Sequence, residues 1–236
     1  MEKRLNSLVE KLKKGLGDRL VSAVLYGSAA AGDAHSGFSD LNVFCVLTQL
    51  TPRELADAAA ALHWWREQGQ PAPLLMSREE VAGSTDCFPI EFHDMLEARR
   101  ILYGEDPLAG LEVDDAFYRA QVEHELRAKL LRLRQKATAL LDDRDMLLRL
   151  LGDSAGTFCI LARHALRLAG HPAPQRKREI LAAAGPLFGF EPRAFYTLLD
   201  LREGRAKPRA AEAEPLFARY LEEIGALVAA VDRLAR

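Results

Sequence analysis

At 236 residues, with 49% hydrophobic and 28% charged side chains, the chain has ample material for a buried core and none of the bias of a disordered or fibrous protein. A formal net charge of -2 sets aside a protein that coats nucleic acid through bulk electrostatics, so nucleic acid is not expected as a bulk ligand. The cysteines, Cys45, Cys87 and Cys159, are odd in number, far apart and outside any CxxC pair, which argues against a disulfide framework or zinc site and for a reducing compartment. The first element in chain order is an amphipathic helix: Leu5, Leu8, Val9, Leu12 and Leu16 recur at helical spacing among charged residues, and Gly17 closes it. Those charges break the uninterrupted apolar stretch that a signal peptide requires, and no segment approaches the roughly 20 apolar residues of a membrane span. No membrane partner is expected, and the expected location is cytoplasmic.

Next, Leu20, Val21, Ala23, Val24 and Leu25 form an apolar run, read as a strand that ends in the small-residue turn Gly27-Ser28. A second apolar run from Leu41 to Leu47 carries another strand. Side chains two apart on a strand point the same way, so Asp40 and Asn42 project together toward the turn. Two oxygen-bearing groups beside exposed backbone amides suit a metal-bound triphosphate. Thr51-Pro52-Arg53-Glu54 is a capping box opening a helix through Leu55, Ala58, Leu62 and Trp65, which stops near Gly69. At this spacing Trp64 and Trp65 read as core rather than as a base-stacking pair. A short strand follows at Leu74-Leu75-Met76, then a second capping box at Ser77-Arg78-Glu79-Glu80. Cys87-Phe88-Pro89-Ile90-Glu91-Phe92 reads as a further strand with one embedded carboxylate. Asp94 sits one face over if that strand continues, or begins a helix if it does not. The order predicts an α+β domain over residues 1–105, a mixed sheet flanked by helices.

From about Ala116 the pattern changes. Val122, Leu126, Leu130, Leu133, Ala137 and Leu140 make one apolar stripe on a long helix, supported by Glu123 with Arg127 and Glu125 with Lys129 four apart. Ser154 opens another helix, with Phe158, Leu161, Ala165 and Leu168, closed by Gly170. More helices follow, the last from Leu216 to Leu234, and no strand is expected after Tyr103. The second half is predicted to be an all-α helical bundle domain over residues 115–236. His35, in a polar loop, and His93 read as structural. There is no GxxxxGK[ST] loop, GxSxG elbow or HExxH helix, which removes the usual signatures of P-loop, α/β-hydrolase and HExxH zinc-protease chemistry.

Leu25-Tyr26-Gly27-Ser28, followed by Asp40-Leu41-Asn42-Val43 and then Glu91, resembles the nucleotidyltransferase superfamily that includes DNA polymerase beta, the aminoglycoside nucleotidyltransferases and small nucleotidyltransferase-like antitoxins. The resemblance implies that Gly27 and Ser28 bind nucleotide, that Asp40 and Glu91 are catalytic, and that Asp40, Asn42 and Glu91 hold magnesium. It also implies a nucleoside triphosphate as substrate or ligand, its nucleoside monophosphate passing to a small-molecule or protein acceptor. In related two-domain enzymes a basic side chain of the helical domain holds the triphosphate. Lys129 and Arg132, which flank the apolar stripe, are the candidates, against the reading of a solvated helix face. The pattern departs at Asn42, an amide where the family carries an acid, so a neutral carbonyl replaces a full negative charge on the metal. Three readings stay open: a working enzyme that tolerates Asn42 or recruits Asp33 or Asp94, a degenerate nucleotide-binding regulatory module, and an antitoxin-like protein acting through a protein partner.

Overall fold

The leucine stripe near the N-terminus folds as helix α1 (Glu2–Leu16), with Leu5, Leu8, Val9, Leu12 and Leu16 all buried. The structure, a computed structural model, describes residues 1–32, 40–208 and 211–234, and the chain forms two units, Met1–Asp115 and Ala116–Arg236. In the first unit, strands β1 (Leu20–Tyr26), β2 (Asn42–Leu47), β3 (Leu74–Ser77) and β4 (Arg99–Gly104) make one sheet in the order β3-β2-β1-β4. β1 pairs antiparallel with both β2 and β4, and β2 runs parallel to β3, so the sheet is mixed. Helices α2 (Pro52–Glu67), α3 (Arg78–Gly83) and α4 (Pro89–Glu97) flank it.

Strand parity sorts the core into two layers. Ala23, Leu25, Val43, Cys45 and Leu47 pack with α1 and with Ala58, Ala61 and Trp65 of α2. Val24, Phe44, Val46 and Met76 pack with Val81 of α3, Phe92 and Met95 of α4, and Leu108. A sheet covered on both faces needs nearly continuous apolar strands, which is why β1 and β2 show little polar alternation. Helices α1 and α2 approach so closely that a Cβ on Gly15 would lie 2.2 Å from the Asp57 carbonyl oxygen. Arg19 ties the two helices together, donating to Glu54 Oε1 at 2.8 Å and to Asp57 Oδ2 at 2.7 Å. The buried Glu54 carboxylate also accepts from the Thr51 hydroxyl at 2.5 Å and its amide at 3.0 Å, the capping box read from the sequence. The Thr51 hydroxyl first, and then Arg19, hold the Glu54 carboxyl down at about 2.

One expected strand is a helix. The run from Cys87 to Phe92 turns into α4, in which Pro89 takes the first turn. Proline's missing N–H is harmless there and its fixed φ suits the helix, while Phe92 and Met95, three apart, supply the buried face. The strand that completes the sheet is β4, whose register pairs Tyr26 with Arg99.

The second unit holds α5 (Tyr118–Ala137), α6 (Arg144–Leu168), α7 (Lys177–Phe188), α8 (Arg193–Arg202) and α9 (Ala213–Arg233), and among the described residues no strand follows Gly104. Tyr118, Val122, Leu126, Leu130, Leu133 and Ala137 form the buried stripe of α5, which stops before Leu140. α6 starts ten residues before Ser154, capped by Asp143, whose carboxylate accepts from the Met146 amide at 3.0 Å. Ser154 is therefore interior to the helix, its hydroxyl donating to the Leu151 carbonyl at 2.8 Å and lying 3.0 Å from the Tyr220 hydroxyl. Tyr220 stacks edge-on against Phe158 and Phe195 at the centre of the bundle. Glu223 of α9 caps α8 from a distance, accepting from the amides of Ala194 at 2.8 Å and Phe195 at 3.1 Å.

Candidate functional site

The end of β1 is shaped by a glycine. Gly27 has φ 75°, which an L side chain rarely adopts, and its carbonyl accepts from the amides of Ala30 and Ala31 at 3.0 Å each, folding Gly27–Ala29 into one tight helical turn. The Gly27 amide donates to the Ala98 carbonyl at 3.0 Å, so the turn is fastened to the start of β4. Ser28 is half-buried and outside the hydrophobic core. Tyr26 stands between Asn42 on β2 and Arg99 on β4. By parity Asn42 shares a sheet face with Tyr26, Val24 and Phe44, and its side-chain nitrogen lies 3.4 Å from where a Cβ on Gly27 would fall. Asp40, two residues earlier, is exposed.

Helix α4 covers the same face, anchored through Phe92 and Met95 in the core layer that holds Val24 and Phe44. Its Glu91 and Asp94 are three apart, on one side of the helix. Both bear on Tyr26: burial, followed by the charges of Glu91 and then Asp94, pushes the Tyr26 phenol up to about 12. The expectation that Asp40 and Glu91 are both carried on strands is thus corrected. Asp40 precedes β2, whereas Glu91 reaches the turn region from a helix. His93 lies two residues on and about 200° around the helix from Glu91. Its Nε2 pairs with Asp115 Oδ1 at 2.6 Å, a fastening within the first unit. Arg99 is likewise structural, its guanidinium bonded to Asp106 at 2.8 Å.

Oxygen donors near the turn include the amide of Asn42 and, bearing on Tyr26, the carboxylates of Glu91 and Asp94. Among the described residues no three His, Cys, Asp or Glu side chains gather closely enough to hold a metal ion by themselves. Such a donor set suits a hard cation that arrives with ligands of its own, as a phosphate-bound magnesium does. Asp33 and His35 lie outside the described residues. Cys45 and Cys159 are buried thiols, pushed up to about 12 by burial, and exposed Cys87 is pushed up by its bond with Asp86; none is an activated nucleophile.

Lys129 and Arg132 belong to the helical unit. They stand on α5 along one wall of a groove, together with Lys136, and α6 supplies the opposite wall through Ser154 and Thr157. The Lys129 ammonium lies 3.3 Å from Glu125 Oε2. The groove does not stand out in the sequence, because it joins two helices whose lining residues lie far apart along the chain. Tyr26 reads in the sequence as the last residue of the strand before the turn.

No protein-family model matches the chain, and no curated protein sequence matches it. Among solved structures, the chain is similar to spectinomycin adenyltransferase AAD(9) from Enterococcus faecialis, solved with ATP and spectinomycin. The superposition has a TM-score of 0.62 at 14% sequence identity, and it covers 99% of this chain and 100% of that one. The chain therefore has a nucleotidyltransferase-like α+β fold followed by a helical region.

Proposed function

We propose that the chain binds a nucleoside triphosphate at the Gly27-Ser28 turn and transfers its nucleoside monophosphate to a small-molecule acceptor, with the transfer step weakened by Asn42. The observation that carries this reading is the fold likeness over both whole chains to a protein solved with ATP and a small molecule. The turn supports it from within the sequence. Gly27, Ser28 and Asp40 match the superfamily pattern, with Glu91 as the third acid on helix α4 rather than on the expected strand, and Gly27 has the backbone conformation that lets a phosphate approach the main chain. In this reading the amides of the turn and the Ser28 hydroxyl receive phosphate oxygens. Asp40, Glu91 and the Asn42 carbonyl would hold magnesium brought in with the nucleotide. Magnesium so held would supply positive charge to offset that of the phosphates and the leaving group. Glu91 takes the proton of the acceptor hydroxyl as its oxygen bonds to the α-phosphorus and the bond to pyrophosphate breaks.

Asn42 favours a second reading, in which nucleotide binding outlives turnover. An amide supplies one charge less to the ion, and even a loss of about 4 kcal/mol of transition-state stabilisation would slow transfer roughly a thousandfold. In this second reading the chain acts as a nucleotide-binding regulatory module, with a protein partner in place of the small acceptor. Calorimetric titration with each nucleoside triphosphate, with and without magnesium, tests binding. Mass spectrometry for pyrophosphate and a nucleotidylated small molecule then separates the two readings. Absence of binding to every triphosphate in magnesium would contradict both.

A further inference from the structure

The groove between α5 and α6 has a composition that the turn site does not require. Lys129, Arg132 and Lys136 fall three and four residues apart, so all three cations line one side of α5. Toward the start of that helix, Arg119 and Arg127 both bond Glu123, at 2.7 and 2.8 Å. Within the groove only Lys129 has a counter-charge, the half-buried Glu125, and among the described residues Arg132 and Lys136 pair with no carboxylate. Like charges four apart on a helix repel, so the helix carries an unfavourable pair along this wall. The opposite wall offers the exposed Thr157 hydroxyl as a neutral donor, while Ser154 is held by Leu151 and Tyr220. The floor is apolar, formed by the buried Leu133 and Phe158.

We propose that this groove binds a small organic phosphate, a monoester carrying an apolar or aromatic group. A phosphate dianion presents three strong acceptor oxygens, enough for an arginine fork, two ammonium groups and a hydroxyl, where a carboxylate presents two. The apolar body of the ester covers Leu133 and Phe158. Size fits the same class: the groove encloses about 110 Å³. Since about 10–15 Å³ of such space holds one water, the volume suits a ligand body of roughly ten non-hydrogen atoms. All lining residues lie in the helical unit, so the proposal stands independently of the turn.

Calorimetry on the full chain tests it, with phenyl phosphate and inorganic phosphate as probes. Phenyl phosphate is expected to bind at least tenfold more tightly than inorganic phosphate. The double variant Arg132→Ala/Lys136→Ala is expected to weaken phenyl phosphate at least tenfold. Arg134→Ala, which removes a charge from the same helix outside the groove, is expected to leave it within twofold, and circular dichroism checks that every variant is folded. Equal binding of the two probes would overturn the ligand class. An equal loss in Arg134→Ala and the double variant would overturn the site, as would loss of ATP binding with phenyl phosphate unaffected. Asp40→Asn is expected to leave phenyl phosphate binding unchanged, so this proposal and the reading of the turn fail separately.

Discussion

The side-chain nitrogen of Asn42 lies 3.4 Å from the point where a Cβ on Gly27 would fall, so strand β2 and the turn after β1 close one end of the sheet together. Gly27→Val would put a β-branched residue into a left-handed conformation, at about 1–2 kcal/mol, and press it against Asn42. The expected outcome is a moderate drop in the thermal midpoint with nucleotide binding lost entirely. Binding unchanged in a folded Gly27→Val chain would remove the turn from the site.

Gly15 sits where two backbones nearly touch. A methyl there would meet the Asp57 carbonyl oxygen at 2.2 Å, so Gly15→Ala must push α1 off α2. Overpacking of this kind costs about 1–3 kcal/mol, whereas Gly83→Ala, with nothing within 4 Å, is expected to be close to neutral. Urea midpoints followed by fluorescence of Trp64 and Trp65, both in the first unit, compare the two variants directly.

Acid is expected to weaken that same unit through Glu54. Its folded carboxyl titrates at about 2 against an ordinary 4.5, so its stabilising share is complete above about 4.5 and is lost as the pH falls toward 2. Tryptophan fluorescence against urea over this window should show the loss in the native chain and a flatter profile in Glu54→Gln. Parallel profiles would mean that other carboxylates govern acid unfolding.

Much of the fold was legible because the signals were local. Gly27-Ser28 and the run after Asp40 announce a strand, a turn and a strand through parity and backbone freedom within thirty residues. The capping boxes at Thr51 and Ser77 mark helix starts that the structure reproduces. Glu91 was harder, because six residues that are mostly apolar satisfy a strand and a helix equally, and Pro89 decides between them only if read as a first-turn proline. The start of α6 was misplaced because Ser154 looks like a cap, yet Asp143 caps first and the intervening leucines continue the helix. The approach of Glu91 and Asp94 to Tyr26, and the groove between α5 and α6, join segments distant in sequence, and no local pattern announces them.

Glu223 should give the helical unit a pH response of opposite sign. Burial raises its carboxyl above the ordinary 4.5 despite the two amides it accepts, so its share of stability is complete below about 4.5 and is lost as the pH rises through the raised value. Glu223→Ala leaves the Ala194 and Phe195 amides without their partner, at about 1–3 kcal/mol. Hydrogen exchange at the first turn of α8 is the measurement: faster exchange in the variant is expected, and unchanged protection would show that the cap is dispensable.

The central claim, a nucleotide site at the turn with one acid replaced by an amide, is tested most directly by titrating ATP into the native chain and into Asn42→Asp. Both titrations are run with and without magnesium, with pyrophosphate release followed by mass spectrometry. The expected result is weak magnesium-dependent binding in the native chain, at least tenfold tighter binding with measurable turnover in Asn42→Asp, and loss of that gain when Asp40→Asn is added. ATP binding undetectable in both chains with magnesium present would contradict the account and leave the fold without the site.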